Sequence, residues 1–226
     1  MINHIRYADI ISLLNASLGI GALLLLLENQ VLYAFSLLLL SILADGLDGI
    51  VARRTGKGPL GSYLEAMADM LSLSIVPLFF IYHLYRGLFT GVTPVFLLFL
   101  VLLFFFFLCS MIRLSSFHIL TTDQHFVGLP ASASTLLLLI LALFSVDIWV
   151  LFLILFLLAL ALISPMKFPK PGRYINSAAA VLFLLSAYLI SINTNLILFL
   201  LLIAVLFYIT AGPLLNFLKK EKKKNN

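Results

Sequence analysis

The stretch ADGLDGIVARRTGKGPLGSYLEAMAD, Ala44 to Asp69, holds four of the nine acidic residues of the chain. They are Asp45, Asp48, Glu65 and Asp69. The first pair is three residues apart and the second pair four, so each pair faces one side of a helix. A turn rich in glycine separates the pairs. We expect two consecutive antiparallel helices that bring all four carboxylates together.

The composition of the whole chain indicates whether it folds in water or in a lipid bilayer. Of the 226 residues, 63% are hydrophobic and 10% are charged, whereas a soluble domain is usually about 45–50% apolar and about 25% charged. Such a chain cannot cover itself with polar surface. We therefore expect an integral membrane protein, and only helices are plausible because the apolar runs are too long for barrel strands.

In a membrane, the four acidic side chains carry a large free-energy cost. One ionised side chain at mid-bilayer costs about 2.5–3.5 kcal/mol on insertion scales, so four cost on the order of 10 kcal/mol. Their mutual repulsion adds to this cost. One or two bound divalent cations would remove both penalties, and oxygen ligands favour Mg²⁺, Mn²⁺ or Ca²⁺ over zinc.

A spanning helix needs roughly 20 apolar residues, which leaves room for about eight spans and no separate soluble domain. We expect one membrane domain over residues 1–226, an all-α bundle of about eight transmembrane helices. The predicted spans are 10–27, 32–52, 62–84, 94–112, 130–146, 148–164, 175–192 and 196–217. The division of 130–164 into two spans rests on Ser145, Asp147 and Trp149.

The basic residues segregate between alternate loops, which predicts orientation. Thirteen of the 14 Lys and Arg residues fall on one side, and only Arg86 falls on the other. The thirteen are Arg6, Arg53, Arg54, Lys57, Arg113, Lys167, Lys170, Arg173, Lys219, Lys220, Lys222, Lys223 and Lys224. We expect a multi-pass protein of the cell membrane with both termini and the acidic site on the cytoplasmic side.

Other classes of site are disfavoured. The single cysteine, Cys109, excludes an internal disulfide and a cysteine-based zinc site. The net charge of +5 is scattered over loop ends, which indicates contact with membrane lipids and no nucleic-acid partner. The tail Lys219–Lys224 either binds anionic lipid headgroups or only fixes the orientation of the last helix.

Small and basic residues follow the second aspartate. Gly49 and Ala52 would let a flat ligand approach the helix closely, and Arg53 could hold a phosphate oxygen. Acids for metals, small residues for access and an arginine for phosphate together indicate phosphoryl transfer. The alternative, a structural ion-pair network with Arg53 and Arg54, leaves four acids facing two arginines.

The stretch resembles the signature of the CDP-alcohol phosphotransferase family, D-x2-D-G-x2-A-R-x8-G-x3-D-x3-D. The matching residues here are Asp45, Asp48, Gly49, Ala52, Arg53, Gly61, Glu65 and Asp69. Two features differ from the family pattern: the third acid is Glu65, and seven residues instead of eight separate Arg53 from Gly61.

Further segments are similar to the branch of the family that transfers lipid phosphate to serine. They are RLSSFHI from Arg113, FVGLP from Phe126 and SPMKFPKP from Ser164, together with Asn15 and Gly19 in the first helix. Ser116 stands where that branch usually has a second arginine.

The resemblance implies a mechanism. The four acids would hold two divalent ions, Mg²⁺ or Mn²⁺, against the pyrophosphate of a CDP-activated lipid, diacyl or archaeol-type. Gly49, Ala52 and Arg53 would bind the CDP moiety. Asp69 would be the general base that deprotonates L-serine, and CMP would leave. The resemblance also implies a homodimer.

Several assignments stay open at this point. Arg113 would bind the serine carboxylate or a lipid phosphate, or it simply anchors a helix end. His118 and His125 either contact substrate or are solvated; Tyr63 is expected to pack at the interface, and His83 to lie on the opposite membrane face. The acceptor could instead be glycerol phosphate, inositol phosphate or another alcohol. A transporter and a lipid-binding homologue without turnover are the non-enzymatic alternatives.

Overall fold

The computed structural model describes residues 5–56, 58–120, 125–169, 172–190, 192 and 194–224. Side chains are described for the same residues except 117–120, 125, 173–174 and 211–224. Lys57, Lys170 and the side chains of His118, His125 and the lysine tail therefore lie outside what is described.

Eight helices form within the described residues. They are α1 (Tyr7–Leu27), α2 (Val31–Thr55), α3 (Gly61–Leu88), α4 (Pro94–Leu120), α5 (Ala131–Leu143), α6 (Ile148–Leu162), α7 (Arg173–Leu189) and α8 (Thr194–Lys224). Each of the eight predicted spans corresponds to one of these helices. The predicted all-α architecture is confirmed.

The helices are those of a membrane protein. Four of them, Tyr7–Leu27, Val31–Thr55, Gly61–Leu88 and Pro94–Ser116, are long and apolar enough to cross a bilayer, and the other four are shorter apolar helices over the described side chains. Large apolar side chains point outward: Val101, Phe104 and Leu108 on α4 are more than half exposed. An aqueous solvent would penalise such a surface, whereas lipid does not.

The predicted break between the fifth and sixth helices has a clear local cause. Ser145 adopts a left-handed conformation with φ +50°. Asp147 then caps α6, because its side chain accepts a hydrogen bond from Trp149 N at 2.9 Å. The cap satisfies one of the N–H groups that the first turn of a helix leaves without a partner.

Some boundaries differ from the prediction. The fourth span was predicted to end at residue 112, but α4 continues to Leu120. Hydropathy marks where a helix leaves lipid, whereas the helix itself persists while its backbone remains hydrogen-bonded. Apolar runs also did not reveal the short antiparallel pair β1 (His125–Val127) and β2 (Lys167–Pro169), in which Phe126 lies opposite Phe168.

Contacts divide the chain into two compact units. In the first, residues 1–84 and 173–197, α1 packs along α2 and against the beginning of α3. In the same unit α7 packs on α2, and Ser36 Oγ donates to Ala187 O at 3.0 Å. The single domain predicted for residues 1–226 stays a prediction.

The second unit comprises residues 85–172 and 198–226. Its α4 and α6 pack through stacked aromatic pairs, Phe99 with Phe152 and Phe105 with Phe156. The Tyr85 hydroxyl donates to Val146 O at 2.8 Å, which secures the connection between α5 and α6.

Candidate active site

The four acids of α2 and α3 come together in the first unit. Asp48, Glu65 and Asp69 are buried, and Asp45 is partly buried. The carboxyl groups of Asp45 and Asp69 lie close enough to interact directly, and the negative charges of Asp48 and Glu65 act on both. The helical hairpin thus concentrates four carboxyl groups in a low-dielectric setting, where like charges repel strongly.

The donor set matches a hard divalent cation in chemistry. Carboxylate oxygens suit Mg²⁺ or Mn²⁺, and the acids lie on two rigid helices. In the part of the chain that the structure describes, no three His, Cys, Asp or Glu side chains are already arranged to hold a metal ion. Carboxyl groups that ligate a metal must be deprotonated, so all four acids would then carry a negative charge. A cation bound here would offset the repulsion among them.

Helix α1 adds two polar side chains that the acidic motif does not contain. Ser12 Oγ donates to Asp48 Oδ2 at 2.6 Å, and Asn15 Nδ2 donates to Asp69 Oδ1 at 3.0 Å. Both side chains are buried. From the sequence, Asn15 is suggested only by the resemblance to the serine-transferring branch of the family, and Ser12 was not predicted to belong to the site. Their spacing of three residues in an apolar helix was the available signal, since it places both on one face.

The α3 helix changes its winding immediately after Asp69. Residues Met70–Ile75 form a π-helical segment, a feature frequently found at functional sites. Gly19 of α1 lies against it: a Cβ on Gly19 would be 3.2 Å from Ser72 Cβ and 3.3 Å from Ser72 Cα. The missing side chain at Gly19 therefore allows α1 to approach α3 closely, one turn beyond Asn15.

The residues expected to bind the CDP moiety lie along the end of α2. Gly49 and Ala52 are partly buried and Arg53 is exposed. Arg53 Nη1 would be 3.8 Å from a Cβ on Gly49, so the guanidinium folds back along the helix toward this glycine. A positive group therefore lies beside a backbone that a phosphate could approach.

Arg6 ties the beginning of α1 to the end of α2. Its Nη1 donates to Thr55 O at 3.2 Å, and a Cβ on Gly56 would lie 2.7 Å from the same nitrogen. Gly56 also has φ +77°, a conformation that favours glycine. This contact holds together the two helices that carry Ser12 and Asp48.

Tyr63 and His83 are also on α3, and their expected places, at the interface and on the opposite membrane face, stay predictions. Tyr63 is 69% exposed. His83 is on α3, 14 residues beyond Asp69, which corresponds to about 21 Å along a helix. His83 is therefore too far from Asp69 to take part in chemistry at the acidic cluster.

Arg113 belongs to the second unit and is buried on α4. Its Nε donates to Leu129 O at 3.1 Å. Gly128, with φ +80°, donates its N–H to Met166 O at 2.7 Å, and Leu129 N donates to Ala161 O at 3.0 Å. The segments that begin at Arg113, Phe126 and Ser164, far apart in sequence, thus meet in one place.

A family model described as CDP-alcohol phosphatidyltransferase matches residues 5–165, well over half of the chain. The protein belongs to the CDP-alcohol phosphatidyltransferase family. The match covers the four acids, Ser12, Asn15 and Arg113. The family generally depends on divalent metal ions.

Two relatives extend this result. The chain is 31% identical over 167 residues to a CDP-diacylglycerol–serine O-phosphatidyltransferase of Methanocaldococcus jannaschii, a match covering 74% of this chain and 75% of that protein. It is 32% identical over 143 residues to an archaetidylserine synthase of Methanothermobacter thermautotrophicus, covering 60% of this chain and 57% of that one. This chain is therefore a membrane transferase of CDP-activated alcohols, and the transporter alternative is set aside.

Proposed function

We propose that the protein transfers the phosphatidyl or archaetidyl group of a CDP-activated lipid to the hydroxyl of L-serine and releases CMP. The observation that carries the chemistry is the meeting of four carboxyl groups from α2 and α3 within a family of CDP-alcohol transferases. The serine acceptor is supported by the names of the two relatives.

Asp45, Asp48, Glu65 and Asp69 would hold two divalent ions, Mg²⁺ or Mn²⁺. When bound, the ions neutralise charge on the pyrophosphate of the lipid donor and on the leaving phosphate. Glu65 has a longer side chain than the aspartate usual at its position, and it is buried beside the other acids. Its carboxylate is therefore available to the same cluster.

The proton of the serine hydroxyl would pass to a carboxylate oxygen of Asp69. The serine oxygen then forms a bond to the lipid-side phosphorus, the bond from that phosphorus to the CMP oxygen breaks, and CMP leaves with the electron pair. Asp69 afterwards returns its proton to solvent. Arg53 and the small residues Gly49 and Ala52 would orient the CDP moiety, as their placement along one helix end allows.

Arg113 is proposed to bind the serine carboxylate or a lipid phosphate. A guanidinium presents five N–H donors, and one of them already serves Leu129 O. The arginine would therefore combine substrate binding with support of the Phe126–Pro130 segment. The active protein is proposed to be a multi-pass homodimer with both termini on the cytoplasmic side.

The test is headgroup transfer by the purified protein in detergent. The substrates are labelled L-serine with CDP-diacylglycerol or CDP-archaeol and Mn²⁺ or Mg²⁺. Labelled lipid with an equal amount of CMP, lost in Asp69→Asn, is the expected result. CMP release only with glycerol phosphate, inositol phosphate or another alcohol would refute the serine acceptor. Binding of CDP-lipid without any turnover would refute the transferase itself.

A further inference from the structure

Helix α1 has a buried polar face that the acidic motif does not account for. Three of its polar side chains, Asp9, Ser12 and Asn15, are at most 3% exposed. Asp9 serves its own helix, because its Oδ2 accepts the backbone N–H of Arg6 at 2.8 Å. Ser12 and Asn15 instead reach to other helices.

The geometry of Ser12 shows that its hydroxyl is used between helices. A helical serine commonly donates to the carbonyl four residues earlier, as Ser17 does to Leu13 O at 2.8 Å. Ser12 Oγ lies 3.4 Å from Ala8 O and only 2.6 Å from Asp48 Oδ2. A distance of 2.6 Å is typical of a hydroxyl that donates to a charged carboxylate.

Asn15 makes the corresponding contact to the other helix of the hairpin. Its Nδ2 donates to Asp69 Oδ1 at 3.0 Å, while its Oδ1 is buried without a hydrogen-bond partner among the residues that the structure describes. A buried amide oxygen in this state costs free energy. An asparagine that is kept at this cost is consistent with a useful contact from its N–H group to Asp69. The close packing of Gly19 on Ser72 fixes the distance between the two helices at this level.

We propose that Ser12 and Asn15 are positioning residues for phosphoryl transfer. Ser12 orients Asp48 as a metal ligand, and Asn15 orients Asp69 as the acceptor of the serine proton. A single helix thereby sets one acid on α2 and one on α3. The inference rests on the proposed function and adds to it residues outside the acidic motif.

Purely structural interhelical hydrogen bonds would affect stability but not the site. The test therefore separates metal binding, turnover and stability for Ser12→Ala, Asn15→Leu and Asn15→Ala. Ser17→Ala is the matched control, since Ser17 lies on the exposed side of the same helix. Ser12→Thr restores a hydroxyl. Readouts are Mn²⁺ affinity by electron paramagnetic resonance in the presence of CDP, kcat, KM for the CDP-lipid, and the thermal midpoint.

Loss of an outer partner of a metal ligand typically costs 10–100-fold in affinity or activity. Ser12→Ala is expected to weaken Mn²⁺ binding about 10-fold, and Ser12→Thr to recover most of it. Asn15→Leu is expected to lower kcat about 10–100-fold with KM little changed. If Asn15→Leu does not fold, Asn15→Ala is expected to show the same lower kcat with little change in KM. Ser17→Ala should match wild type in all readouts.

Wild-type Mn²⁺ affinity in Ser12→Ala and wild-type kcat in the Asn15 variants would overturn the proposal, as would a fall in thermal midpoint alone. The proposed function fails separately. If wild-type protein gives no serine-dependent CMP release while Ser12→Ala still weakens Mn²⁺ binding, the transfer reaction is wrong and the role of Ser12 stands.

Discussion

The Nε–H group of Arg113 donates to Leu129 O at 3.1 Å, which joins α4, just after its apolar run, to the loop before α5. This arginine is only 4% exposed. A charge so deeply buried requires compensation by hydrogen bonds. Arg113 therefore supports the structure between α4 and the segment before α5, and its role toward substrate stays a prediction.

Arg113→Lys should lower both stability and serine affinity. Lysine keeps the charge but cannot reproduce the planar guanidinium, and loss of a buried hydrogen bond to a charged group costs about 1.5–3 kcal/mol. We expect a lower thermal midpoint in detergent together with a higher KM for serine. A lower midpoint with unchanged KM would leave only the structural role.

Gly128→Ala should destabilise the second unit severely. A Cβ at this position would collide with Leu162 O, a backbone atom that cannot move cheaply, and φ is +80°. We expect a loss of more than about 2 kcal/mol, because steric clash adds to the roughly 1–2 kcal/mol of the left-handed conformation. Unfolding in detergent with increasing SDS measures it.

Gly91→Ala is the matched control for this change. Gly91 also has positive φ, at +121°, but a Cβ there meets no atom within 4 Å. Its destabilisation should be limited to the conformational cost. Equal losses in the two variants would contradict the clash at Gly128.

Gly19→Ala should reduce turnover several-fold. The added Cβ would press on the backbone of Ser72 at 3.3 Å, and a helix must shift to relieve it. The shift would move Asn15 relative to Asp69. Gly21→Ala is the control, because its Cβ would meet only the end of the Leu37 side chain, at 3.0 Å. Headgroup transfer assays should show Gly21→Ala close to wild type; a similar loss in both would argue against a specific role for the Gly19 contact.

The sequence predicted the eight helices well because lipid imposes long apolar runs with few exceptions. It also predicted the break at Asp147, since a capping residue and a turn carry local signals. The acidic hairpin followed from spacing alone. These features depend on residues close together in the chain.

The support of the acids by α1 was much harder to predict. The contacts from Ser12 to Asp48 and from Asn15 to Asp69 join residues 36 and 54 positions apart, and no local pattern specifies such pairs. The π-helical segment after Asp69 was equally hard to predict, because its composition resembles that of the surrounding helix. Pairing of Phe126 with Phe168 likewise depends on tertiary packing.

Asp45→Asn should stabilise the metal-free protein while abolishing transfer. Four carboxyl groups held together repel one another. An amide at position 45 removes one charge and carries an N–H group that can donate to Asp69. Active sites commonly trade stability for function in this way. We expect a higher thermal midpoint in EDTA than for wild type. Mn²⁺ should raise the wild-type midpoint by binding the folded state, and raise that of Asp45→Asn much less. A lower midpoint for Asp45→Asn in EDTA, or equal Mn²⁺ stabilisation of both proteins, would mean that the four acids are not a strained metal site.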